Sequence, residues 1–472
     1  MREPPLRDSY RFSAVYAKSV EDGAPVLLTR ASDAHLTERL LKPLWRGGPF
    51  WKLSLLVTGL GALFFIATLL YTALTGIGTW GNNIPVAWAF AITNFVWWIG
   101  IGHAGTFISA ILLLLEQNWR NSINRLAEAM TLFAIINAAV FPLIHLGRPW
   151  FAYWIFPYPS TMNVWPNFKG ALPWDGAAIS TYFTVSLLFW YVGLIPDLAA
   201  ARDHAPTLAK RRLYGILALG WRGSGRSWRN WQMAYLLLGG LATPLVLSVH
   251  SVVSLDFAIT QLPGWHSTIF PPYFVSGAIY SGFAMVLTLM LPLRALYGVE
   301  DIITTRHLDA MAKLILVTGS VVYYTYVVEL FIAWYSGNIF ESQLFLWLRL
   351  SGPWAWAVWL TYVLNFVVPN LMWFRAFRQR PVLLWIASVL VNVAMWFERF
   401  FLIITSQSQD FLPSSWAMYR PTYVDGAIFL GTFLLFGFLF LLFLRFLPFI
   451  PISETKELRH ALVEEESRLE AR

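Results

Sequence analysis

The chain has 472 residues, 57% of them hydrophobic and only 13% charged, with a formal net charge of +8. That charged fraction, about half that of a soluble globular chain, excludes an ordinary water-soluble domain. The absence of cysteine excludes a thiolate-bound iron–sulfur cluster, a haem of the C-x-x-C-H type and a disulfide within the chain.

Apolar runs of about 20 residues recur, the length that crosses a hydrocarbon core of roughly 30 Å. The expected fold class is therefore an all-α polytopic membrane protein. Residues 1–50 form a polar arm with no apolar stretch of the signal-peptide kind. Ten spans follow, at about 52–75, 84–115, 127–146, 176–196, 231–254, 273–293, 312–334, 354–374, 382–405 and 424–447. The second is long enough to tilt or protrude. The 25 Trp and 19 Tyr crowd near the ends of these runs, as aromatic belts do. The tail, 451–472, places Leu458, Ala461, Leu462 and Leu469 in a charged stretch, and reads either as a short amphipathic cytoplasmic helix or as a solvated tail.

Loop charge sets the expected orientation. The loops 116–126, 197–229, 294–313 and 375–380 carry 15 Lys and Arg together, whereas the alternate loops 76–83, 147–174, 255–271, 335–352 and 407–422 carry 4. The positive-inside rule then puts both termini and the basic loops in the cytoplasm. The net positive charge reads as loop bases near anionic lipid rather than as nucleic-acid binding. The loop 147–174, rich in Trp, Pro and Tyr, falls on the outer side. It reads as a folded cap or subunit-docking surface, or equally as a self-packed interfacial loop.

An internal repeat appears at an offset of 180–181 residues: "EAMTLFAI" at 128–135 aligns with "DAMAKLIL" at 309–316, and "PWDGAAISTY" at 173–182 with "PWAWAVWLTY" at 353–362. It pairs spans 2–5 with spans 6–9. The expected organisation is a first crossing over 51–83, a four-helix bundle over 84–254, a second over 255–375 and 376–406, and a tenth crossing over 407–450. The first and tenth spans are peripheral. At this offset His145 corresponds to Tyr326, Arg148 to Glu329 and Asp175 to Ala355.

Ionisable groups inside a membrane are costly, so they face protein interiors and often carry function. In span 3, Asn137, Phe141, His145 and Arg148 are spaced to share one helical face. Asp175 opens span 4, where a carboxylate also serves as an ordinary N-cap. In span 2, "GIGHAGTFISA" offers Gly102, Gly105 and Ser109 for close helix approach, with His103 as a deep polar group or merely a satisfied one. Span 5 ends "SVHSVVSLDFA", bringing His250, Ser254 and Asp256 near the same outer membrane face; His250 and Ser254 share a helical face, and Asp256 reads either as part of the site or as a loop residue that fixes the helix end. No H-x-x-x-H spacing exists, so no metal site is expected. In the second unit Tyr323, Tyr326 and Glu329 run along one side of span 7. Glu398 and Arg399 are adjacent on span 9, where neighbours do not face each other and each needs a partner elsewhere. These groups read as a proton path or as a structural interhelical salt bridge.

A histidine and a carboxylate at a membrane boundary, beside aromatic walls, suit quinol chemistry: a quinol gives up two protons with its two electrons, and one base can take each proton. The electrons would leave to a centre on another chain.

"HAGTFISAILLL", "INRLAEAMTLFA", "FPLIHLGRPW", "SVHSVVSLDFA" and "PGWHSTIFPPYF" together resemble the NrfD/polysulfide-reductase-type membrane subunits, and more closely the ActC-type subunits of bacterial alternative complex III, over most of 50–450. The resemblance implies a multi-pass subunit of the bacterial cytoplasmic membrane that oxidises menaquinol or a similar quinol near its outer face. The implied partners are an iron–sulfur subunit above the pocket, multihaem cytochrome c subunits and a homologous NrfD-type membrane subunit. By the same resemblance His145 and Asp175 hold the quinol head group, Arg148 is the motif arginine, and His103, His250 and Asp256 lie around the site. Proton translocation is also implied for the family. Three rivals stand beside this reading: a quinone-linked anchor of a sulfur or molybdenum oxidoreductase, a proton or ion transporter without redox role, and a structural scaffold.

Overall fold

The computed structural model describes residues 26–29, 31–155 and 171–470. Most of the aromatic loop expected as a cap, residues 156–170, lies outside the described residues. Among the described residues all regular structure is helical.

In chain order the principal helices are α1 (Asp33–Trp45), α2 (Pro49–Thr75), α3 (Ala89–Leu114), α4 (Asn124–His145), α5 (Ala171–Asp203), α6 (Leu208–Leu217), α7 (Gly225–Ala258), α8 (Phe270–Tyr297), α9 (Thr305–Tyr335), α10 (Ala355–Leu371), α11 (Pro381–Ser408), α12 (Tyr423–Phe446) and α13 (Ile452–Glu470). Nine of these, α2–α5, α7–α9, α11 and α12, are long and apolar enough to cross a membrane. Helix α10, the eighth expected span, has 17 residues, shorter than the usual length of a crossing helix. Several helices outrun the expected spans. Helix α5 has 33 residues and α7 has 34, because a helix goes on satisfying its own backbone after its side chains turn polar.

Helices α3 and α8 pack against each other at the centre. Around α3 lie α4 and α7, with α5 touching both; around α8 lie α9 and α11, with α10 touching both. Helix α2 lies along α12, which rests on α3 and α4. The central helices are mostly buried, while α2, α5, α7, α9 and α12 leave most of their apolar surface uncovered, as helices facing hydrocarbon do.

Small residues let the central helices meet. A Cβ on Gly105 would sit 2.0 Å from Thr131 Oγ1 and 2.1 Å from the Ala127 carbonyl, and one on Gly282 would sit 2.5 Å from the Ala104 methyl. Glycine is thus required where α3 crosses α4 and α8. Just beyond Gly105, α3 widens into a π-helical turn over Phe107–Ile111, a feature that often marks functional helices. The tail is a docked helix: α13 packs on α1, α5 and the 3₁₀ turn Asn118–Ser122, and buries Ile452 and Leu458.

Candidate functional site

Helix α4 stops at His145, and the turn after it separates residues that uniform helical spacing puts together. Gly147 takes φ +72°, a conformation that suits glycine after a helix end. The chain therefore swings away, and Arg148 does not share a face with Asn137, Phe141 and His145. This corrects the spacing argument. Arg148 Nη1 instead donates to the carbonyls of Ala73 (2.8 Å) and Leu74 (2.6 Å) at the end of α2, where a cation complements the helix dipole. Its guanidinium also lies 5.5 Å from the Trp150 ring.

His145 is buried in aromatic rings. Trp88 stacks on the imidazole at 4.8 Å with a 17° tilt, and Phe141, Phe95 and Trp80 approach at 6.0, 6.3 and 6.5 Å. The Trp88 indole N–H also donates to the His145 carbonyl at 3.0 Å. Trp88 precedes α3 with φ +63°, a left-handed conformation that costs a bulky residue about 1–3 kcal/mol. Among the described residues His145 Nε2, which is buried, has no hydrogen-bond partner. Sequence reasoning assigns the tryptophans only to a belt and misses Trp88. Asn137 is buried on the same helix, its Nδ2 donating to the Phe133 carbonyl at 2.9 Å.

Helix α5 already runs from Ala171, so Asp175 lies inside the helix and is not its N-cap. Its buried carboxyl shares a hydrogen bond with that of Asp256 near the end of α7. Among the described residues Oδ1 of each has no hydrogen-bond partner. Among the described residues no base lies within ion-pair distance of either carboxyl, and His145 and Asp175 make no hydrogen bond to each other.

Deeper in the helices, His103 and His250 are fully buried with ring centres 4.5 Å apart. His103 Nδ1 donates to the Ile99 carbonyl at 2.7 Å. The Tyr182 ring lies 5.2 Å from His103, and its hydroxyl bonds Thr106 at 2.8 Å and the Gly102 carbonyl at 3.0 Å. Phe274 separates His250 (5.8 Å between rings) from the guanidinium of Arg399 (4.1 Å).

In the second group of helices, Arg399 Nη1 and Glu398 Oε1 lie 3.1 Å apart. Adjacent residues therefore do meet through their long side chains, contrary to the expectation from spacing, although neither atom gains a hydrogen bond. The Tyr326 hydroxyl donates to Glu398 and accepts from Asn365 Nδ2 at 2.8 Å. Glu329 is buried with Oε1 unpartnered. Arg349, fully buried, reaches Thr405 and Ser406 at 3.2 Å each.

A second cluster, which sequence reasoning misses, closes the opposite end of α4. Arg125 pairs with Glu128 at 3.2 Å and Asp197 at 3.3 Å and donates to the carbonyls of Trp190 and Gly193. Arg120 pairs with Glu454 at 3.2 Å. Asn124 Nδ2 also reaches Glu454, and the Tyr235 hydroxyl reaches Glu128. Asp197 accepts from the backbone of Ile452 and Ser453, which ties α13 to α5. The signal available was the run of charge in "INRLAEAM" inside an otherwise apolar stretch.

The chemistry follows from the contrast. Unpaired buried nitrogen and carboxyl oxygens can hold or pass protons, and stacked rings offer a wall for a flat apolar molecule. Among the described residues no group of ligands that fits a metal ion occurs.

A Halobacterium salinarum protein named as a dimethyl sulfoxide reductase membrane component is 23% identical over 415 residues, covering 80% of this chain and 85% of that protein. Residues 79–410 match the family described as "Polysulphide reductase, NrfD", a match that contains His145, the deeper pair His103 and His250, and the carboxyl pair; the chain belongs to that family of membrane subunits.

Proposed function

We propose that this chain binds and oxidises a quinol, as the membrane subunit of an oxidoreductase complex of the alternative complex III type. One observation carries the reading: among the described residues His145 Nε2 and the Oδ1 atoms of Asp175 and Asp256 are buried without partners at one end of α4, α5 and α7, with Trp88 stacked on the imidazole. Buried polar atoms left unsatisfied cost about 1–3 kcal/mol each, and a bound head group with two hydroxyls supplies what they lack.

In the proposed reaction His145 accepts the proton of one quinol hydroxyl and the Asp175–Asp256 pair accepts the other. Two C–O–H groups become two C=O groups, and two electrons leave for an iron–sulfur centre on a partner subunit. Trp88 holds the imidazole by stacking and through its carbonyl. Arg148 acts on the frame by fixing the end of α2.

Loop charge supports ten crossings, α10 included, in two four-helix units with α2 and α12 outside them. It also supports cytoplasmic termini and a site near the outer face of a bacterial cytoplasmic membrane. The proposed substrate is menaquinol, and the proposed partners are the iron–sulfur subunit, multihaem cytochrome c subunits and a second NrfD-type chain. Tyr326, Glu329, Glu398 and Arg399 are the groups assigned to proton translocation.

Asp175→Asn tests this in the purified complex. Quinol oxidation is expected to fall by about 100-fold or more while the complex stays fully assembled; a wild-type rate removes Asp175 from the reaction. A second reading, a quinone-linked anchor of a molybdenum or sulfur oxidoreductase, is favoured by the likeness to the Halobacterium salinarum protein. Co-purification separates the two: cytochrome c subunits support the first and a molybdenum enzyme the second.

A further inference from the structure

The connection between α5 and α7 is the most basic part of the chain. Residues 197–229 carry seven Lys and Arg against two carboxylates, Asp197 and Asp203. Asp197 is buried and committed to Arg125 and Ser453, and Asp203 pairs with Arg202 at 2.8 Å. Lys210 rests 5.0 Å from the Trp45 ring. Arg211, Arg212, Arg222, Arg226 and Arg229 remain exposed, and among the described residues none has a carboxylate within ion-pair distance.

Helix α6 supplies an apolar counterpart. Its inner face is fixed: the Tyr214 hydroxyl donates to the Phe446 carbonyl at 3.0 Å, and the Leu217 carbonyl accepts from Tyr191 at 2.7 Å. Its outer face presents Leu208, Leu213 and Ile216, with Leu219 just past its end, each more than half exposed. A water-facing helix would be polar there. Further along the chain, α7 leaves Leu236, Leu237 and Leu241 uncovered. Trp221, Trp228 and Trp231 form an edge-on ladder with ring separations of 5.1 and 5.6 Å, the arrangement of an interfacial belt. An apolar arc rimmed by arginines at that level matches a helix lying in the headgroup region.

We propose that this connection is a binding seat for anionic phospholipid. The outer leucines and Ile216 lie among acyl chains, and Arg211, Arg212, Arg226 and Arg229 hold the phosphates, which suit the guanidinium fork. The unbalanced charge selects an acidic headgroup over a zwitterionic one. The seat is independent of the quinol reading and stands or falls without it.

Native mass spectrometry of the purified full chain in its complex tests this, with phosphatidylglycerol and phosphatidylcholine added in turn. The wild type is expected to retain phosphatidylglycerol preferentially, and less of it as salt is raised. In R211Q/R212Q/R226Q/R229Q the preference falls by on the order of fivefold per arginine removed. L213N/I216N, which keeps every charge, also loses retention, and serves if the fourfold variant does not fold. R375Q/R380Q, which removes exposed arginines from the α10–α11 connection, keeps the wild-type preference. Equal binding of both lipids, an unchanged fourfold variant, or an equal loss in R375Q/R380Q overturns the seat; the last result means a diffuse field. An acidic protein segment that stays on these arginines throughout lipid addition overturns it as well.

Discussion

At the Arg125 end of α3, α4, α5 and α7, each buried charge has an opposite partner within 3.3 Å. At the His145 end, the buried imidazole and the carboxyl pair have none among the described residues. Both ends bury ionisable groups, and both must offset the desolvation that burial costs. The first does so within the chain, by binding α13 across the ends of α4 and α5. Among the described residues the second has no such partner. A paired cluster is a closure; a cluster of orphaned atoms against stacked rings makes physical sense when another molecule completes it.

The largest effect is expected from breaking the closed end. Arg125→Leu leaves Glu128 and Asp197 buried without their cation, at a cost of about 3–5 kcal/mol, a large part of a typical folding free energy. Gly193 shows how tightly the guanidinium is held, since a Cβ there would lie 2.6 Å from Arg125 Nη1. The thermal midpoint of the solubilised complex should drop sharply and α13 should become protease-sensitive. On the proposed function, surviving molecules should keep the wild-type rate of quinol oxidation. A stable Arg125→Leu protein would mean that this end is not a lock.

His145→Phe is the complementary change. It keeps the stack on Trp88 and removes the orphaned nitrogen. Quinol oxidation should fall about 100-fold, while the thermal midpoint moves by no more than about 1 kcal/mol would cause. Destabilisation without loss of rate would invert the assignment of the two ends. Trp88→Ala should have an intermediate effect. It removes a ring stack worth about 0.5–1.5 kcal/mol and a hydrogen bond worth about 1 kcal/mol, so the rate should fall about tenfold. Trp88→Phe, which keeps a ring over the imidazole, should recover most of that loss.

How much of this was legible in sequence depended on the distance between partners. Long apolar runs carry their own signal, and nine membrane-length helices lie where such runs occur. Local chemistry was partly legible: His103 and His250 stand out singly, but their 4.5 Å approach does not. The pairing of Asp175 with Asp256 joins residues 81 apart, and that of Arg120 with Glu454 joins residues 334 apart; neither leaves a periodic trace in one sequence. Arg148 departs from the face that spacing assigns it for a local reason. Spacing extended α4 through a glycine that ends it, and that Gly147 was itself the available signal. At Glu398 and Arg399 spacing describes backbone direction alone: the long side chains meet at 3.1 Å, while Glu398 also has the partner elsewhere that spacing demands, the Tyr326 hydroxyl.

The smallest effect sharpens the comparison from the exposed side of the closed end. Arg39 on α1 donates to both oxygens of Asp301 at 2.7 Å and to the Gly298 carbonyl, in the connection between α8 and α9. Partial burial works to raise the Asp301 carboxyl, and the Arg39 guanidinium outweighs it, holding the group below its ordinary value of 3.8. A carboxyl with a depressed folded value adds stability above its unfolded value and loses it as the pH falls through the folded one. Asp301→Asn should therefore lower stability at neutral pH, by less than about 1 kcal/mol because both partners are in contact with water. The difference from wild type should shrink at high salt and begin to close as the pH drops below 3.8. Geometry at this pair is better than at Arg125, where the contacts are longer. If Asp301→Asn nevertheless costs as much as Arg125→Leu, then bond geometry, and not burial, decides what a charge pair is worth in this protein, and the contrast between its two ends loses its basis.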